Sequence, residues 1–129
     1  MKFIALDLET TGLSPETDTI IEIAAIRFSI EKEGSDFVMK NTEEHSQLIH
    51  PERLLEQEIT MITGITNDML VGKPTFESVR EKVREFIGGE SIIVGHNVLF
   101  DIAMLKSHTI DLSGHKILDT FELSEIFSQ

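Results

Sequence analysis

Residues 2–13 read KFIALDLETTGL, and this stretch decides how the rest of the chain is interpreted. The run at 2–8 is mostly apolar and is followed by the turn-prone residues 11–15, which predicts a strand and then a loop. On a strand, residues two apart point to the same side, so the carboxylates of Asp7 and Glu9 would emerge together, roughly 6.5 Å apart along the chain. We expect them at the carboxyl edge of a central strand, where α/β sheets place their ligands.

A third acid, Asp101, stands inside the otherwise apolar segment 98–105, which predicts the opening of a helix. Burying an unpaired carboxylate costs several kcal/mol, so Asp101 would need a cation or hydrogen-bond donors. Each motif alone has a simpler interpretation, because an isolated D-x-E pair is usually solvated and the helix dipole favours an acid in the first turn. Together, Asp7, Glu9 and Asp101 at one sheet edge would repel each other unless a hard cation such as Mg²⁺ or Mn²⁺ held them.

The rest of the chain alternates between strand and helix patterns, which predicts one layered α/β domain over residues 1–129 with a mixed sheet. The polar stretch 29–50 predicts a hairpin-like excursion whose strand ends near residues 47–49. The other predicted elements are, in order, a strand at 19–28, short helices within 51–70 interrupted at Gly64, a helix opened by Pro74 and stopped at 88–89, a strand at 91–95, a helix at 98–108 with Asn97 as its N-cap, a strand at 116–118 and a helix at 120–127.

The composition restricts the classes of function. Apolar residues make up 40% of the chain and charged residues 26%, as in ordinary globular domains, and the absence of cysteine excludes disulfides, thiol nucleophiles and zinc fingers. No apolar stretch has the length of a membrane span and the N-terminus has no signal-peptide core, so we expect a cytoplasmic location and no membrane partner. The formal charge of −12 repels nucleic acid on average, but bound divalent cations would restore positive charge where a phosphate must sit.

One local basic cluster, Lys73, Arg80, Lys82 and Arg84, interrupts this acidic composition. On a helix that also carries glutamates, such a cluster is more often a solvated, salt-bridged face than a contact for a nucleic-acid strand, and we expect the former. Phenylalanine is the only large aromatic residue type in the chain. With so few aromatic residue types, binding of a nucleic-acid terminus is a better interpretation for this chain than binding of a long single strand by base stacking.

Two motifs together resemble those of a known family. Residues 7–13, DLETTGL, resemble the first motif of the DEDDh, or DnaQ-like, 3′-to-5′ exonucleases, which include the proofreading epsilon subunit of bacterial DNA polymerase III, RNase T and oligoribonuclease. Residues 95–101, GHNVLFD, resemble the second motif, and the intervening segments 49–51, 62–66 and 74–76 follow the order seen in the family. The resemblance covers nearly the whole chain.

The resemblance implies a ribonuclease H-like fold, in which helices flank a mixed five-stranded sheet, and a two-metal hydrolysis of the terminal phosphodiester. Asp7, Glu9 and Asp101 would be the catalytic residues and the ligands of two Mg²⁺ or Mn²⁺ ions, with Asp7 bridging the pair. A water activated by the metals would attack phosphorus in line while the second ion steadied the leaving 3′ oxygen. The implied partners are a nucleic-acid 3′ end and a DNA polymerase or another replication or repair subunit.

The same resemblance assigns substrate-binding roles to Thr10, Thr11, Gly12, Leu13, Thr63, Asn97 and Phe100. Each has a structural alternative, because residues 10–12 can simply form a turn, Asn97 can only cap its helix and Phe100 can belong to the core. We favour the substrate role for Thr10 and Phe100 and leave Leu13 open. Thr63 departs from the family, because many relatives carry histidine there.

The third motif of the family, H-x-x-x-x-D, is not found in the chain. His115 and Asp119 are one residue too close together, and we interpret Asp119 as a strand-end acid that caps the helix from Thr120. In the family this motif supplies the histidine that acts as general base and a fourth metal-binding aspartate, so the resemblance implies that the C-terminal part of the fold is missing. Without the general base, the rate of hydrolysis would fall by a factor of about 10² to 10⁴. We expect His45, His50 and His108 in surface or loop roles, and His96 as a packing residue beside the site.

These patterns predict a 3′-5′ exonuclease domain for single-stranded DNA or RNA that is weak or inactive in this form. The alternative is a non-catalytic module, derived from the same fold, that binds nucleic-acid ends or a protein partner. A nucleotide-binding α/β protein is excluded because the chain has no glycine-rich phosphate loop.

Overall fold

Strand β1, Lys2–Thr10, lies at the centre of a mixed five-stranded sheet in the computed structural model, which describes residues 1–120. It pairs antiparallel with β2, Ile20–Glu33, and parallel with β4, Ile92–Gly95. The outer strands are β3, Asp36–Leu48, antiparallel to β2, and β5, Ile117–Asp119, parallel to β4. The resulting strand order, β3-β2-β1-β4-β5, confirms the mixed five-stranded sheet expected for a ribonuclease H-like fold.

Four helices connect and flank these strands within the described residues. Helices α1, Gln57–Thr63, and α2, Asn67–Leu70, are separated at Gly64, as the sequence predicts. Gly64 has a φ of 78°, and this left-handed conformation favours glycine and ends α1. Helices α3, Phe76–Ile87, and α4, Val98–Ser107, precede and follow β4.

The main core lies between the sheet and the helices. Ile4, Leu6 and Leu8 alternate along β1 with more exposed residues and are all buried. They pack in one cluster with buried residues of the other strands, of α3 and of α4, which include Ile23, Val83, Ile93, Val98, Met104 and Leu105. A smaller cluster, formed by Ile21, Leu55, Ile65 and Leu70, fixes the α1–α2 segment against β2. The main cluster includes Ile4, Leu6 and Leu8, so packing holds β1 in place along most of its length.

The hairpin of β2 and β3 is longer than the sequence predicts. The strand expected at residues 19–28 continues to Glu33, and Glu33 pairs with Asp36 next to the turn. The polar residues after 28 do not end β2, because the backbone groups of β2 and β3 can form hydrogen bonds with each other without a buried face. Lys40 of β3 forms ion pairs with Glu31 and Glu33 across this ladder.

Other boundaries agree with the sequence within one or two residues, including β5, which is predicted at 116–118 and observed at Ile117–Asp119. The predicted helix at 120–127 lies outside the described residues except for Thr120. Within residues 1–120, no helix combines the length and the hydropathy that a membrane span requires.

Candidate active site

The carboxyl ends of three adjacent parallel strands, β1, β4 and β5, meet at one edge of the sheet. Asp7 and Glu9 stand near the end of β1, and Asp119 is the last residue of β5. Leu6 and Leu8 are buried, whereas Asp7 is exposed and Glu9 is half-buried. The alternation of a strand therefore turns both carboxylates of β1 to the side opposite the buried leucines, as their spacing predicts.

Asp101 reaches this edge from the first turn of α4, and only 6% of its surface is exposed. The pKa of its carboxyl is raised to about 7, first by burial and then by the negative charge of Asp7. The backbone N–H of Leu8 opposes this shift in pKa, while the charges of Glu9 and Asp119 add to it. The structure thus brings the acid of the second motif within electrostatic reach of both acids of the first.

Glu9 belongs to the same accumulation of negative charge. Burial raises its pKa first, followed by the charges of Asp7 and of Glu22, its cross-strand neighbour on β2. Like charges in a partly desolvated site disfavour full ionisation of all the carboxyls. A divalent cation at this edge would remove that penalty.

No three His, Cys, Asp or Glu side chains between residues 1 and 120 form a ready metal-ligand group. Asp7, Glu9 and Asp101 therefore interact through their charges without forming a closed cage. Their chemistry fits Mg²⁺ or Mn²⁺, because carboxylate oxygens are the ligands that hard cations prefer and a cation would relieve the repulsion that raises the pKa of Asp101. The assignment of these three residues as metal ligands stays a prediction.

Gly95 allows α4 to begin close to β1. A Cβ atom at this position would lie 2.7 Å from the carbonyl oxygen of Leu6 and 2.8 Å from Cγ2 of Val98. Contacts under 3 Å with backbone cannot be relieved by a side-chain rotation, so only glycine fits without moving β4 or α4. The first residue of the GHNVLFD motif thus has a structural role that sets the approach of Asp101.

Asn97 occupies the N-cap of α4, but its side chain makes no capping hydrogen bond, which corrects the predicted cap. Its backbone is left-handed, with a φ of 56°, a conformation that asparagine tolerates better than most residues. The backbone N–H of Asn97 donates instead to Oδ1 of Asp119 over 2.8 Å. Asp119 therefore holds the start of α4. The helix that it was also predicted to cap, from Thr120 onwards, lies outside the described residues except for Thr120.

Four of the predicted substrate-binding residues follow one another at the end of β1, with Thr10 as the last residue of the strand and Thr11, Gly12 and Leu13 in the loop after it. The hydroxyl of Thr10 donates to the carbonyl oxygen of Gly12 over 2.7 Å, and the hydroxyl of Thr11 donates to Asp18 over 3.0 Å. Both hydroxyls thus shape the loop itself. Leu13, in contrast, has 87% of its surface exposed and projects from the loop.

Thr63 and Phe100 differ from the loop residues in their surroundings. The hydroxyl of Thr63 donates to the carbonyl of Ile59 over 2.8 Å and accepts from the N–H of Ile65, so its described hydrogen bonds stay within its own segment. Phe100 is half-buried and packs against the main core. Their substrate roles stay predictions, and for Phe100 packing is an observed role in addition.

Two residues that contact the loop after β1 were missed from the sequence. Asp18 and Arg53 both contact Thr11. Arg53 lies 42 positions after Thr11, and no local sequence pattern predicts a contact over that distance. His108 lies in the turn after α4, in agreement with the predicted loop role, and it is half-buried. Its Nδ1 donates to the carbonyl of Met104 over 2.8 Å, and its Nε2 lies 3.1 Å from the hydroxyl of Thr19. An apolar helix ending in a histidine is a signal for C-terminal capping that could have suggested this position.

The remaining side chains near α4 have clear partners. His96 is exposed, which corrects the predicted packing role, and its Nδ1 lies 3.2 Å from the hydroxyl of Thr120. In the basic cluster, Arg84 pairs with Glu81, and Arg80 donates to the carbonyl oxygen of His108 over 3.2 Å. Two members of the basic cluster therefore support the fold, in agreement with the structural interpretation.

Comparison with known proteins identifies close relatives. The profile of the exonuclease (RNase_T) family matches residues 4–128. The DNA polymerase III epsilon subunit of Aquifex aeolicus is 40% identical over 114 residues, which is 88% of this chain and 52% of that protein. The 3′-5′ exonuclease DinG of Bacillus subtilis is 35% identical over 133 residues, covering 97% of this chain and 13% of DinG. The chain thus spans about half the length of the epsilon subunit and a small part of DinG.

Solved structures of exonucleases have the same fold. Exonuclease X in complex with 5′ overhanging duplex DNA superposes with a TM-score of 0.62 and 26% identity, covering 97% of this chain and 63% of that one. Exonuclease I in its complex with the SSB C-terminus gives a TM-score of 0.77 and covers 98% of this chain and 30% of that one. At 22% identity, the second likeness concerns the fold alone.

Proposed function

Because the chain belongs to the exonuclease family, as its profile match over residues 4–128 establishes, we propose that it is a 3′-5′ exonuclease domain. It would hydrolyse the terminal phosphodiester of single-stranded DNA or RNA with two divalent cations. The proposal is supported by the position of Asp7, Glu9 and Asp101 near the carboxyl edge of β1 and β4, where the negative charges of Asp7 and Glu9 help to raise the pKa of Asp101.

Asp7, Glu9 and Asp101 would hold the cations. Divalent cations bound there supply Lewis-acid stabilisation of the negative charge that develops on the phosphoryl oxygens. The residues of the chain contribute position: β1 fixes Asp7 and Glu9 through its two neighbouring strands, and α4 carries Asp101 on a helix whose start is held by Asp119. Rigid elements of this kind keep ligand oxygens in place while substrate exchanges.

The 3′ terminal nucleotide would lie against the loop at residues 10–13. Leu13 is free to pack on a base, because it is exposed and apolar. Thr10, Thr11 and Gly12 would offer backbone groups at fixed positions, since the threonine hydroxyls are engaged within the loop. Thr63, Asn97 and Phe100 complete the proposed substrate-binding set.

The nucleic-acid partner is proposed from the relatives, whose names describe a polymerase subunit and exonucleases. A DNA polymerase or another replication or repair subunit is proposed as a protein partner on the same basis. Activity of the 129-residue chain would be weak or absent, because no third-motif histidine is available as general base.

A metal titration tests the site without relying on turnover. Mn²⁺ should raise the melting temperature of the wild-type chain, because a cation that binds only the folded state stabilises it. Asp7→Asn should abolish this shift, whereas Asp36→Asn, which removes an exposed carboxylate at the hairpin turn, should preserve it. Equal shifts in wild type and Asp7→Asn would contradict the metal site. A 5′-labelled oligonucleotide then measures activity directly, with shortening from the 3′ end as the expected result.

The second candidate is a non-catalytic module that binds nucleic-acid ends or a protein. It is favoured only by the lack of the third motif in the sequence. Oligonucleotide binding with no detectable shortening at high Mn²⁺ and long incubation would support the module, whereas slow shortening that Asp7→Asn abolishes would support the enzyme.

A further inference from the structure

The loop between β1 and β2 is closed by hydrogen bonds at its base. The backbone N–H of Thr11 donates to the carbonyl of Thr19 over 2.9 Å, and the N–H of Thr19 donates back to the hydroxyl of Thr11 over 3.0 Å. These bonds fix the two ends of the loop next to the sheet. They do not by themselves fix residues 12–14, which face the proposed substrate.

One carboxylate inside the loop fixes those residues. Oδ1 of Asp18 accepts from the hydroxyl of Thr11 over 3.0 Å, and Oδ2 accepts from the backbone N–H of Ser14 over 3.0 Å. Each oxygen therefore holds one side of the Gly12–Leu13 step. Hydrogen bonds to an ionised acceptor are about twice as strong as neutral ones, so a carboxylate suits this position better than an amide.

Gly12 fits the loop because of Asp18. A Cβ atom at position 12 would lie 2.4 Å from Oδ2 and 2.7 Å from Cγ of Asp18. The φ of Gly12 is not among the left-handed values of the chain, so its backbone conformation alone does not require glycine. The requirement is space for the carboxylate of Asp18, which presses against the backbone of the loop.

Arg53 completes the arrangement from outside the loop. Its guanidinium contacts the hydroxyl of Thr11 and lies 3.3 Å from Oδ1 of Asp18. The Asp18 side chain is only 20% exposed, so the guanidinium compensates a largely desolvated negative charge. Asp18 thus links the loop to the segment before α1.

We propose that Asp18 is a positioning residue, whose carboxylate, supported by Arg53, holds the loop at residues 10–14 in the conformation that grips the terminal nucleotide. The inference rests on the proposed function. Asp18 itself would contact neither the substrate nor a cation, and its effect would pass through the backbone at Gly12 and Ser14.

Oligonucleotide binding separates positioning from simple electrostatics. Removing a negative charge near the site should by itself strengthen the binding of a polyanion. Positioning predicts the opposite for Asp18→Asn: affinity for a 5′-fluorescein oligothymidylate, measured by anisotropy with Ca²⁺ to suppress hydrolysis, should fall about tenfold, the equivalent of one lost charge-assisted hydrogen bond. Glu16→Gln is the matched control, because Glu16 is an exposed acid of the same loop, and its affinity should stay unchanged or rise.

The outcomes distinguish the inference from the proposed function. If the wild-type chain binds and Asp18→Asn binds as tightly as Glu16→Gln, the inference is overturned and the proposed function survives. If the wild-type chain does not bind the oligonucleotide at all, the proposed function fails and the inference fails with it.

A double-mutant cycle tests the contact itself by thermal unfolding. Gly12→Ala should lower the melting temperature in the wild-type background, because the new methyl group meets the carboxylate of Asp18. In the Asp18→Ala background the same substitution should have little effect, since the obstructing atoms are gone. Equal effects of Gly12→Ala in both backgrounds would contradict the contact and overturn the inference.

Discussion

The carboxylate of Asp119 at the end of β5 accepts a hydrogen bond of 2.8 Å from the backbone N–H of Asn97, where α4 begins. Two residues 22 positions apart are thereby joined at the edge that carries the acidic cluster. The contact replaces the side-chain cap that α4 lacks. Because α4 carries Asp101, this bond contributes to the orientation of the candidate active site, together with the packing of Val98 and Met104 in the main core.

Asp119→Ala should lower the free energy of unfolding by about 1–2 kcal/mol, as expected when an N-terminal helix cap is lost. Chemical denaturation followed by circular dichroism measures the change. Asn97→Gly is the control, because glycine adopts the left-handed φ of 56° and still offers its N–H to Asp119, and it should change stability little. An Asp119→Ala chain as stable as wild type would show that α4 is held by its packing alone.

The raised pKa of Asp101 predicts how stability depends on pH when EDTA removes metal ions. The carboxyl has a pKa of about 7 in the folded chain against 3.8 as its usual value, so the folded state binds more protons between these values. Stability from this group is therefore highest below about pH 4, falls as the pH rises towards 7, and levels off above that.

Asp101→Asn should remove this dependence and raise the melting temperature at pH 8 in EDTA by a few degrees, because about 1 kcal/mol shifts the melting temperature of a domain this size by roughly 4 °C. The same substitution should abolish stabilisation by Mn²⁺, so its effect changes sign with the metal. Melting curves of both proteins from pH 4 to pH 8 provide the measurement. Parallel curves for wild type and Asp101→Asn would contradict the raised pKa.

Gly95→Ala should destabilise the fold by about 1–3 kcal/mol, the usual effect of overpacking, because its methyl group meets the carbonyl of Leu6. Gly89→Ala is a matched control, since a Cβ atom there meets nothing within 4 Å. Denaturant midpoints of the two variants should therefore separate clearly. If Gly95→Ala and Gly89→Ala had the same denaturant midpoint, β4 and α4 would be able to move apart around the new methyl group without a loss of stability.

His108→Ala should lower stability by about 1–2 kcal/mol, because it removes hydrogen bonds to Met104 and Thr19 in a half-buried position. Thr19→Val removes the hydroxyl from the other side of the same contact. If the bond between them matters, the double variant should lose less stability than the sum of the two single losses. Strict additivity in urea denaturation would argue against a coupled pair.

Much of the fold follows from local pattern. The apolar run at 2–8 predicts β1, and the helical spacing of Phe76, Val83 and Ile87 predicts α3. These three residues are buried in the main core, as that spacing indicates. Gly64 separates α1 from α2 as expected. The length of the β2–β3 hairpin could not be predicted, because its distal half is stabilised by backbone pairing and cross-strand ion pairs rather than by burial.

The acids of the candidate site were identified from residue type and spacing, whereas their support was not. Asp7 and Glu9 are recognisable by their two-residue spacing on a predicted strand, and Asp101 by the apolar residues on either side of it in the sequence. Asp18, Arg53 and the bond of Asp119 to Asn97 depend on which distant segments meet. Contacts of that kind have no periodicity in the sequence, so only the structure reveals them.

Strand β3 has one side without a neighbouring strand among the described residues, and Phe37 and Met39 are exposed near its beginning. Such an edge is a template on which a second chain could add a strand. Lys40, whose pKa is raised by its bond to Glu33, stays charged and stands beside these apolar residues. An added strand would have to pack against these charged side chains, so the charged groups of the hairpin discourage aggregation at this edge.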